Sequence, residues 1–257
     1  MNGPDRMVRV DQVMGLPVSV DVRCPTEDTV PAVASAFAWL REVDARFSPF
    51  RADSEVTRAG RGEIPAAEFS PDLAEVLDRC AEYERRSAGA FRARLPGRPL
   101  DPSGLVKGWA VQRAADLLRS RGVRHFCVNA GGDVVTGGEP EPGRSWLVGV
   151  RHPDHADRTC VVLGLRDGAV ATSGCYERGR HILDGRTGRP ACGLLSVTVV
   201  AEDLTRADAT ATAAFAMGPE GIAWAAAQPG CLVFAVDAER RVRRSAGLDA
   251  VVAQPGA

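Results

Sequence analysis

Val8, Val10 and Val13, then Val18, Val20 and Val22, alternate with polar residues on either side of Met14-Gly15-Leu16-Pro17. A period of two with a break in its middle predicts two short strands around a kink between residues 7 and 23. The period then lengthens. Val33, Phe37, Leu40 and Phe47 recur at helical spacing from Thr29 to Phe47, and Thr29 ahead of Pro31 is a start signal. The helix runs into Phe47-Ser48-Pro49-Phe50-Arg51-Ala52-Asp53-Ser54-Glu55, where Ser-Pro and Asp-Ser pairs break it. Phe50 in that loop is either a plug for the core or a ring that stacks on a ligand. A second helix is predicted over residues 71 to 87, with Leu73, Val76, Leu77, Cys80 and Tyr83 on one face and Gly89 as its stop. A Pro/Gly-rich loop follows over residues 90 to 99. A third helix then starts near Ser103 as N-cap, turns Val106, Ala110, Ala114, Leu117 and Leu118 inward, and ends at Gly122.

The rest of the chain reads mainly as strand. A strand over residues 126 to 128 ends in Asn129-Ala130-Gly131-Gly132-Asp133, whose paired glycines predict a hairpin turn and do not make a GxGxxG fingerprint. Strands over residues 146–150, 160–165 and 169–172 are spaced like a meander. A buried-type strand is predicted over Leu194–Ala201, followed by a helix with Thr205 as N-cap and Gly218 as its stop, a short helix, and a strand pair over residues 231 to 243. A tail from Gln254 is expected to fray.

Composition narrows the class. With 257 residues, 45% of them hydrophobic and 25% charged, the chain suits one large globular domain; the expectation is a single unit over residues 1–257 with its core within about residues 8–250. A formal net charge of -1 and scattered arginines argue against nucleic acid as a partner. No stretch approaches the roughly 18 apolar residues of a membrane span, and the charged first thirty residues hold no secretory signal. Seven cysteines without a CxxC pair fit buried thiols in a reducing compartment. The expected location is the cytoplasm.

Candidate chemistry starts from an oddity. Lys107, in Asp101-Pro102-Ser103-Gly104-Leu105-Val106-Lys107-Gly108-Trp109-Ala110, is the only lysine among 32 basic residues. Ammonium is a compact point charge and guanidinium a wide fork, so a tight site built on one rejects the other. Lys107 falls in the first turn or so of the third helix, where free N–H groups already suit phosphate. Asp208 and Thr212 lie four apart on a predicted helix, so a carboxylate and a hydroxyl share a face and suit Mg²⁺. Taken alone, the pair is better explained as an acid near a helix start and a threonine bonded to its own backbone. His181, between Arg180 and Ile182-Leu183, is either held against a pocket wall or a structural histidine. His125 reads as the edge of a strand, and His152 and His155 as surface residues. Cys175 has no recognisable base beside it.

Taken together, these pieces resemble the ApbE family of flavin transferases. The resemblance rests on Met14-Gly15; Phe47-Ser48-Pro49-Phe50-Arg51 with Asp53-Ser54-Glu55; Gly89-Ala90-Phe91; the Asp101 to Gly108 stretch; Asn129-Ala130-Gly131-Gly132-Asp133; Thr172-Ser173-Gly174; His181-Ile182-Leu183-Asp184 with Arg186-Thr187-Gly188; and Ala207-Asp208-Ala209-Thr210-Ala211-Thr212. It spans nearly the whole chain. It implies an α+β, T-fold-type domain, a mixed antiparallel sheet with flanking helices. It further implies movement of FMN from FAD onto a threonine or serine hydroxyl of an acceptor protein, with Mg²⁺ required and AMP released. By the same resemblance Asp208, Thr212 and the Gly104 carbonyl are metal ligands. Met14, Phe50, Ala90, Phe91, Asp101, Lys107 and Ile182 contact FAD, and His181 and Lys107 are catalytic.

Three departures qualify that picture. Arg92 stands where the family commonly has an acid, the loop over residues 92–101 is short, and Gly185 replaces a usual proline, which is expected only to loosen a turn. Two other readings remain open, a non-catalytic FAD carrier and a Mg²⁺-dependent FAD pyrophosphatase.

Overall fold

A computed structural model describes residues 6–175 and 181–253; Arg180 and the tail from Gln254 lie outside that range. The alternating valines fold as β1 (Arg6–Val13) and β2 (Leu16–Arg23), paired from Arg6 opposite Arg23 to Val13 opposite Leu16. The kink is a two-residue turn with φ of 55° at Met14 and 71° at Gly15. Two left-handed residues match the twist of a hairpin, and Met14 holds that conformation against the preference of its own Cβ.

Helix α1 (Thr29–Phe47) has the predicted bounds and buries Val33, Phe37, Leu40 and Phe47. The loop after it contains α2 (Glu55–Gly60), which periodicity does not announce; six residues are too few to repeat a face. Its signal is the cap, Ser54, whose Oγ accepts the Thr57 amide at 3.2 Å. Ser70 caps α3 (Pro71–Arg86) in the same way. In α4 (Ser103–Ser120) Ser103 is the first helical residue rather than the cap: Pro102 holds the cap position, its carbonyl accepting the Val106 amide at 3.1 Å, and the Asp101 carboxylate accepts the Ser103 amide at 3.0 Å. Lys107 consequently opens the second turn of α4.

β3 (Phe126–Ala130) and β4 (Asp133–Gly137) are joined by Gly131-Gly132, with φ of 60° and 98°, as the paired glycines predict. β5 (Trp146–Arg151) pairs with β6 (Thr159–Leu165), but β7 (Gly168–Gly174) does not continue the expected meander. Nearly all of β7 is buried, so it needs cover on both faces and sits inside the main sheet. β8 (Leu183–Asp184) and β9 (Arg189–Pro190) form a small separate hairpin. Then come β10 (Leu194–Ala201), α5 (Leu204–Met217), α6 (Pro219–Ala226), β11 (Leu232–Asp237) and β12 (Val242–Arg244). Asp203, not Thr205, caps α5, its Oδ1 accepting the Arg206 amide at 2.9 Å; Thr205 is buried inside the helix.

The main sheet runs β1-β2-β3-β4-β7-β10-β11-β12, and every neighbouring pair is antiparallel. Side chains alternate across it. Val18, Val20, Val128, Val135, Ala171 and Val197 join the larger core with α1, α4 and α5. Val134, Val170, Val200 and Phe234 point the other way, under Val148, Val150, Leu163 and Leu165 of the β5–β6 hairpin. The molecule is therefore α+β, an antiparallel sheet with flanking helices as expected, and a hairpin covers part of the sheet's other face. Asp133 and Ser173 each lie two residues from a helix-facing neighbour, Val135 and Ala171, so both face the helices where β4 begins and β7 ends.

Among the described residues no helix is long and apolar enough to cross a membrane. The thiols are not uniformly buried as expected: Cys80 and Cys231 are, while Cys24 and Cys192 are exposed, and all seven are unpaired.

Candidate functional site

The site is built where α4 crosses α5. Gly104, Gly108 and Gln112 share one face of α4, and Thr212, Asp208 and Leu204 share one face of α5. A Cβ placed on Gly104 would lie 3.0 Å from Thr212 Cγ2 and 3.0 Å from Phe91 Cε2. One placed on Gly108 would lie 2.6 Å from Asp208 Cβ and 2.6 Å from the Leu204 carbonyl oxygen. One turn further, Gln112 Oε1 accepts the Leu204 amide at 2.8 Å. The helices thus run antiparallel in fixed register, and two glycines let the backbone of α4 approach the polar face of α5.

That approach gives Asp208 its surroundings. Its carboxylate is 3% exposed and accepts the Gly108 amide through Oδ2 at 2.8 Å. Lys107 Nζ lies 3.5 Å from Asp208 Oδ1 and 2.6 Å from Asp133 Oδ2. Burial pushes the Asp208 carboxyl above its ordinary range; Lys107 pulls it back, and the second carboxylate, Asp133, pushes it up again. Two buried carboxylates around one ammonium leave the cluster short of positive charge. With the Thr212 hydroxyl one turn along the same face and the α4 backbone against it, this donor set suits a hard divalent cation. Thr212 Oγ1 is held 3.3 Å from Ser173 Oγ.

Asp133 joins the cluster although the sequence pattern gives it no role. Its signal lies in the Gly-Gly turn, which sends the chain back so that the residue after it faces the helices. The turn is pinned by the Gly131 amide on the Pro17 carbonyl at 3.0 Å and by the Gly132 amide on Asn129 Oδ1 at 2.9 Å. The Thr172 amide then donates to Asp133 Oδ1 at 3.1 Å.

The other candidates ring this centre with different degrees of support. Ala90 and Phe91 are buried, and the Phe91 amide bonds to Ser87 Oγ at 2.9 Å. Phe91 reaches the centre through its contact with Gly104. Asp101 is exposed and occupied by Ser103, and its amide closes the short loop on the Ala93 carbonyl at 2.8 Å. Arg92 pairs with Glu84 at 3.1 Å, so its charge is answered outside the cluster. Met14 and Ile182 are half-buried against the larger core. Phe50 is 95% exposed, which removes the core-plug alternative. His181 is exposed, just ahead of the β8–β9 hairpin. His152 and His155 lie against each other with ring centroids 4.9 Å apart and planes tilted by 46°.

Gly185 does more than loosen a turn. Its amide donates to the Ala90 carbonyl at 2.8 Å, and a Cβ there would lie 2.4 Å from the Gly89 carbonyl oxygen. It therefore fastens the segment carrying His181 and Ile182 to the loop carrying Ala90 and Phe91. A proline could neither donate that bond nor fit that contact.

Known proteins resemble this chain in sequence and in fold. The sequence profile of the ApbE family matches residues 14–95 and 92–234. A protein of Rhodobacter capsulatus named FAD:protein FMN transferase is 37% identical over 221 residues, 82% of this chain and 39% of its own length. One of the same name from Treponema pallidum is 32% identical over 211 residues, 71% of this chain and 58% of its own. Another from Vibrio cholerae is 35% identical over 136 residues, 49% and 41% of the two chains. The matched region thus spans only about two fifths to three fifths of these relatives. Among solved structures, the ApbE protein of Thermotoga maritima superposes with a TM-score of 0.85 at 24% identity, covering 97% of this chain and 100% of that one. The flavin transferase ApbE of Vibrio cholerae gives 0.81 at 22% identity, covering 96% and 99%. Those likenesses establish the fold, and the profile match over most of the sequence establishes the kinship: the chain belongs to the ApbE family.

Proposed function

We propose that this protein transfers the FMN moiety of FAD to a threonine or serine hydroxyl of an acceptor protein, with Mg²⁺ bound, and releases AMP. The observation that carries this reading is the buried cluster of Asp208, Lys107 and Asp133 at the glycine-lined crossing of α4 and α5. The names of the relatives, each an FAD:protein FMN transferase, point the same way.

Asp208, Thr212 and the Gly104 carbonyl would hold the metal, and Mg²⁺ bound there supplies charge neutralisation for a pyrophosphate. The chain's own residues do the rest. Lys107 offers a point charge to the phosphate oxygens as negative charge builds on them. Phe50, Met14 and Ile182 would offer apolar surface to the flavin and adenine rings, and Asp101 and the loop of the buried Ala90 and Phe91 would border the same approach. The acceptor hydroxyl oxygen attacks the phosphorus on the FMN side, forming a new P–O bond while the bond from that phosphorus to the bridging oxygen breaks. The hydroxyl proton passes to His181, and AMP departs with the bridging oxygen. Its second phosphate pKa near 6 means AMP needs little protonation to leave. The demand on the protein is positioning and deprotonation of a weak nucleophile.

The test is incubation with FAD and Mg²⁺, with and without an acceptor, reading AMP and covalent flavin. Covalent flavin and AMP that both require the acceptor are the expected result. AMP without acceptor supports the pyrophosphatase reading, and bound FAD with neither product supports a carrier. His181→Ala is expected to keep FAD binding and lose transfer; a wild-type rate of flavinylation in that variant removes His181 as the base.

A further inference from the structure

Asp133 has no role in the chemistry described so far, yet it makes the shorter of the two ion pairs of Lys107, 2.6 Å against 3.5 Å for Asp208. Its carboxylate is 2% exposed; Oδ1 is held by the Thr172 amide, while Oδ2 has no hydrogen-bond partner among the described residues and meets the ammonium as an ion pair. The backbone behind it is equally fixed, since the Gly131-Gly132 turn is bonded to Pro17 and Asn129. Asp208 differs. One of its oxygens takes the Gly108 amide, and the other faces the ammonium only at the longer distance. An ammonium placed midway, or nearer Asp208, would neutralise the one carboxylate that has a hydroxyl partner on its own helix face.

We propose that Asp133 is a positioning residue that draws Lys107 away from Asp208 and so keeps Asp208 open to a divalent cation. The role rests on the metal-dependent reading above. It explains why the cluster has two carboxylates for one lysine: one anchors the ammonium and the other serves the metal. It also gives the Gly-Gly turn a function, because that turn sets where Asp133 stands relative to α4.

The test uses the full chain, MgCl₂ alone as probe, and Asp133→Asn, which preserves shape and the Oδ1 acceptor for Thr172. Because Lys107 is the only lysine, selective ¹³Cε-lysine labelling gives a single NMR signal that reports the ammonium directly. The signal of Asp133→Asn is expected to shift relative to wild type before any metal is added. The Mg²⁺ concentration giving half-maximal thermal stabilisation is expected to rise at least about tenfold, a loss of about 1.4 kcal/mol. Asp133→Glu, which keeps the charge, is expected to recover part of the affinity. A wild type that Mg²⁺ stabilises, beside an Asp133→Asn variant with an unmoved lysine signal and a midpoint within twofold, overturns the positioning role alone. A wild type that Mg²⁺ does not stabilise at all overturns the metal reading and this role together. An unfolded Asp133→Asn, with Asp133→Glu folded and normal in both readouts, makes Asp133 merely structural and overturns the proposal.

Discussion

Gly108 lies so close to Asp208 that a single added carbon on the glycine would sit 2.6 Å from the aspartate Cβ. The same carbon would also sit 2.6 Å from the Leu204 carbonyl oxygen, a backbone atom that cannot rotate away. The whole cluster depends on this contact, since it brings the Gly108 amide within 2.8 Å of Asp208 Oδ2.

Gly108→Ala is therefore expected to force α4 and α5 apart. Overpacking of this kind costs about 1–3 kcal/mol, and here it also lengthens a charge-assisted hydrogen bond. Chemical denaturation should show the loss of stability. Gly122→Ala serves as comparison: it has nothing within 4 Å of an added carbon but a φ of 80°, so it carries backbone strain without crowding the site. A Gly108→Ala protein as stable as wild type, with normal FAD use, removes the close crossing as a requirement.

Lys107→Arg tests the ammonium. Nζ is placed between two nearly buried carboxylates, 2.6 Å and 3.5 Å away, with the side chain 28% exposed. A planar guanidinium is wider than the space an ammonium fills and pairs in a two-pronged way with one carboxylate. The expected outcome is at least about a tenfold fall in kcat/KM for FAD, or about 1.4 kcal/mol, in a folded protein. Equal kinetics for the two cations would leave Lys107 as an ordinary helix-face charge.

How much of this was legible beforehand depends on whether a feature is local. The β1–β2 hairpin, the bounds of α1 and the Gly131-Gly132 turn follow from period and turn chemistry, which act over a few residues. β7 leaving the meander does not, because the choice of partner strand is settled by the need to cover both of its faces. The site divides in the same way. Asp208 and Thr212 share a face because of spacing alone, but nothing in spacing brings Lys107 to Asp208 across a hundred residues. Resemblance supplies that link; it includes Asp133 in a motif but assigns it no role, and the position of Asp133 is set by a turn, a strand end and the Thr172 amide together. Gly185 was misjudged for a related reason: its partner, the Ala90 carbonyl, lies far away in sequence.

Gly185→Pro should behave unlike an ordinary turn substitution. It deletes the donor to the Ala90 carbonyl and drives ring atoms toward the Gly89 carbonyl, where even a Cβ would be at 2.4 Å. Because the fastening joins two loops rather than core elements, FAD affinity should fall more than global stability does. Fluorescence titration with FAD, paired with a thermal melt, separates the two effects. A variant that binds FAD normally shows that the Ala90 and His181 segments need no direct tie.

Phe50 provides the last test, since its exposure of 95% leaves a large apolar ring with no packing role in the described structure. Truncating a ring that touches no core changes stability by about 0.5 kcal/mol or less, so Phe50→Ala should melt with the wild type. If the ring lies against the flavin or adenine, the same substitution removes a stacking contact of about 0.5–1.5 kcal/mol, a two- to tenfold loss of FAD affinity. Phe50→Tyr and Phe50→Trp retain a flat face and should retain most of the binding, whereas Phe50→Leu keeps apolar area without the face and should not. The two measurements together carry the argument: unchanged stability with weakened binding assigns the ring to the ligand. Unchanged stability with unchanged binding removes Phe50 from the site and leaves the FAD rings to Met14 and Ile182.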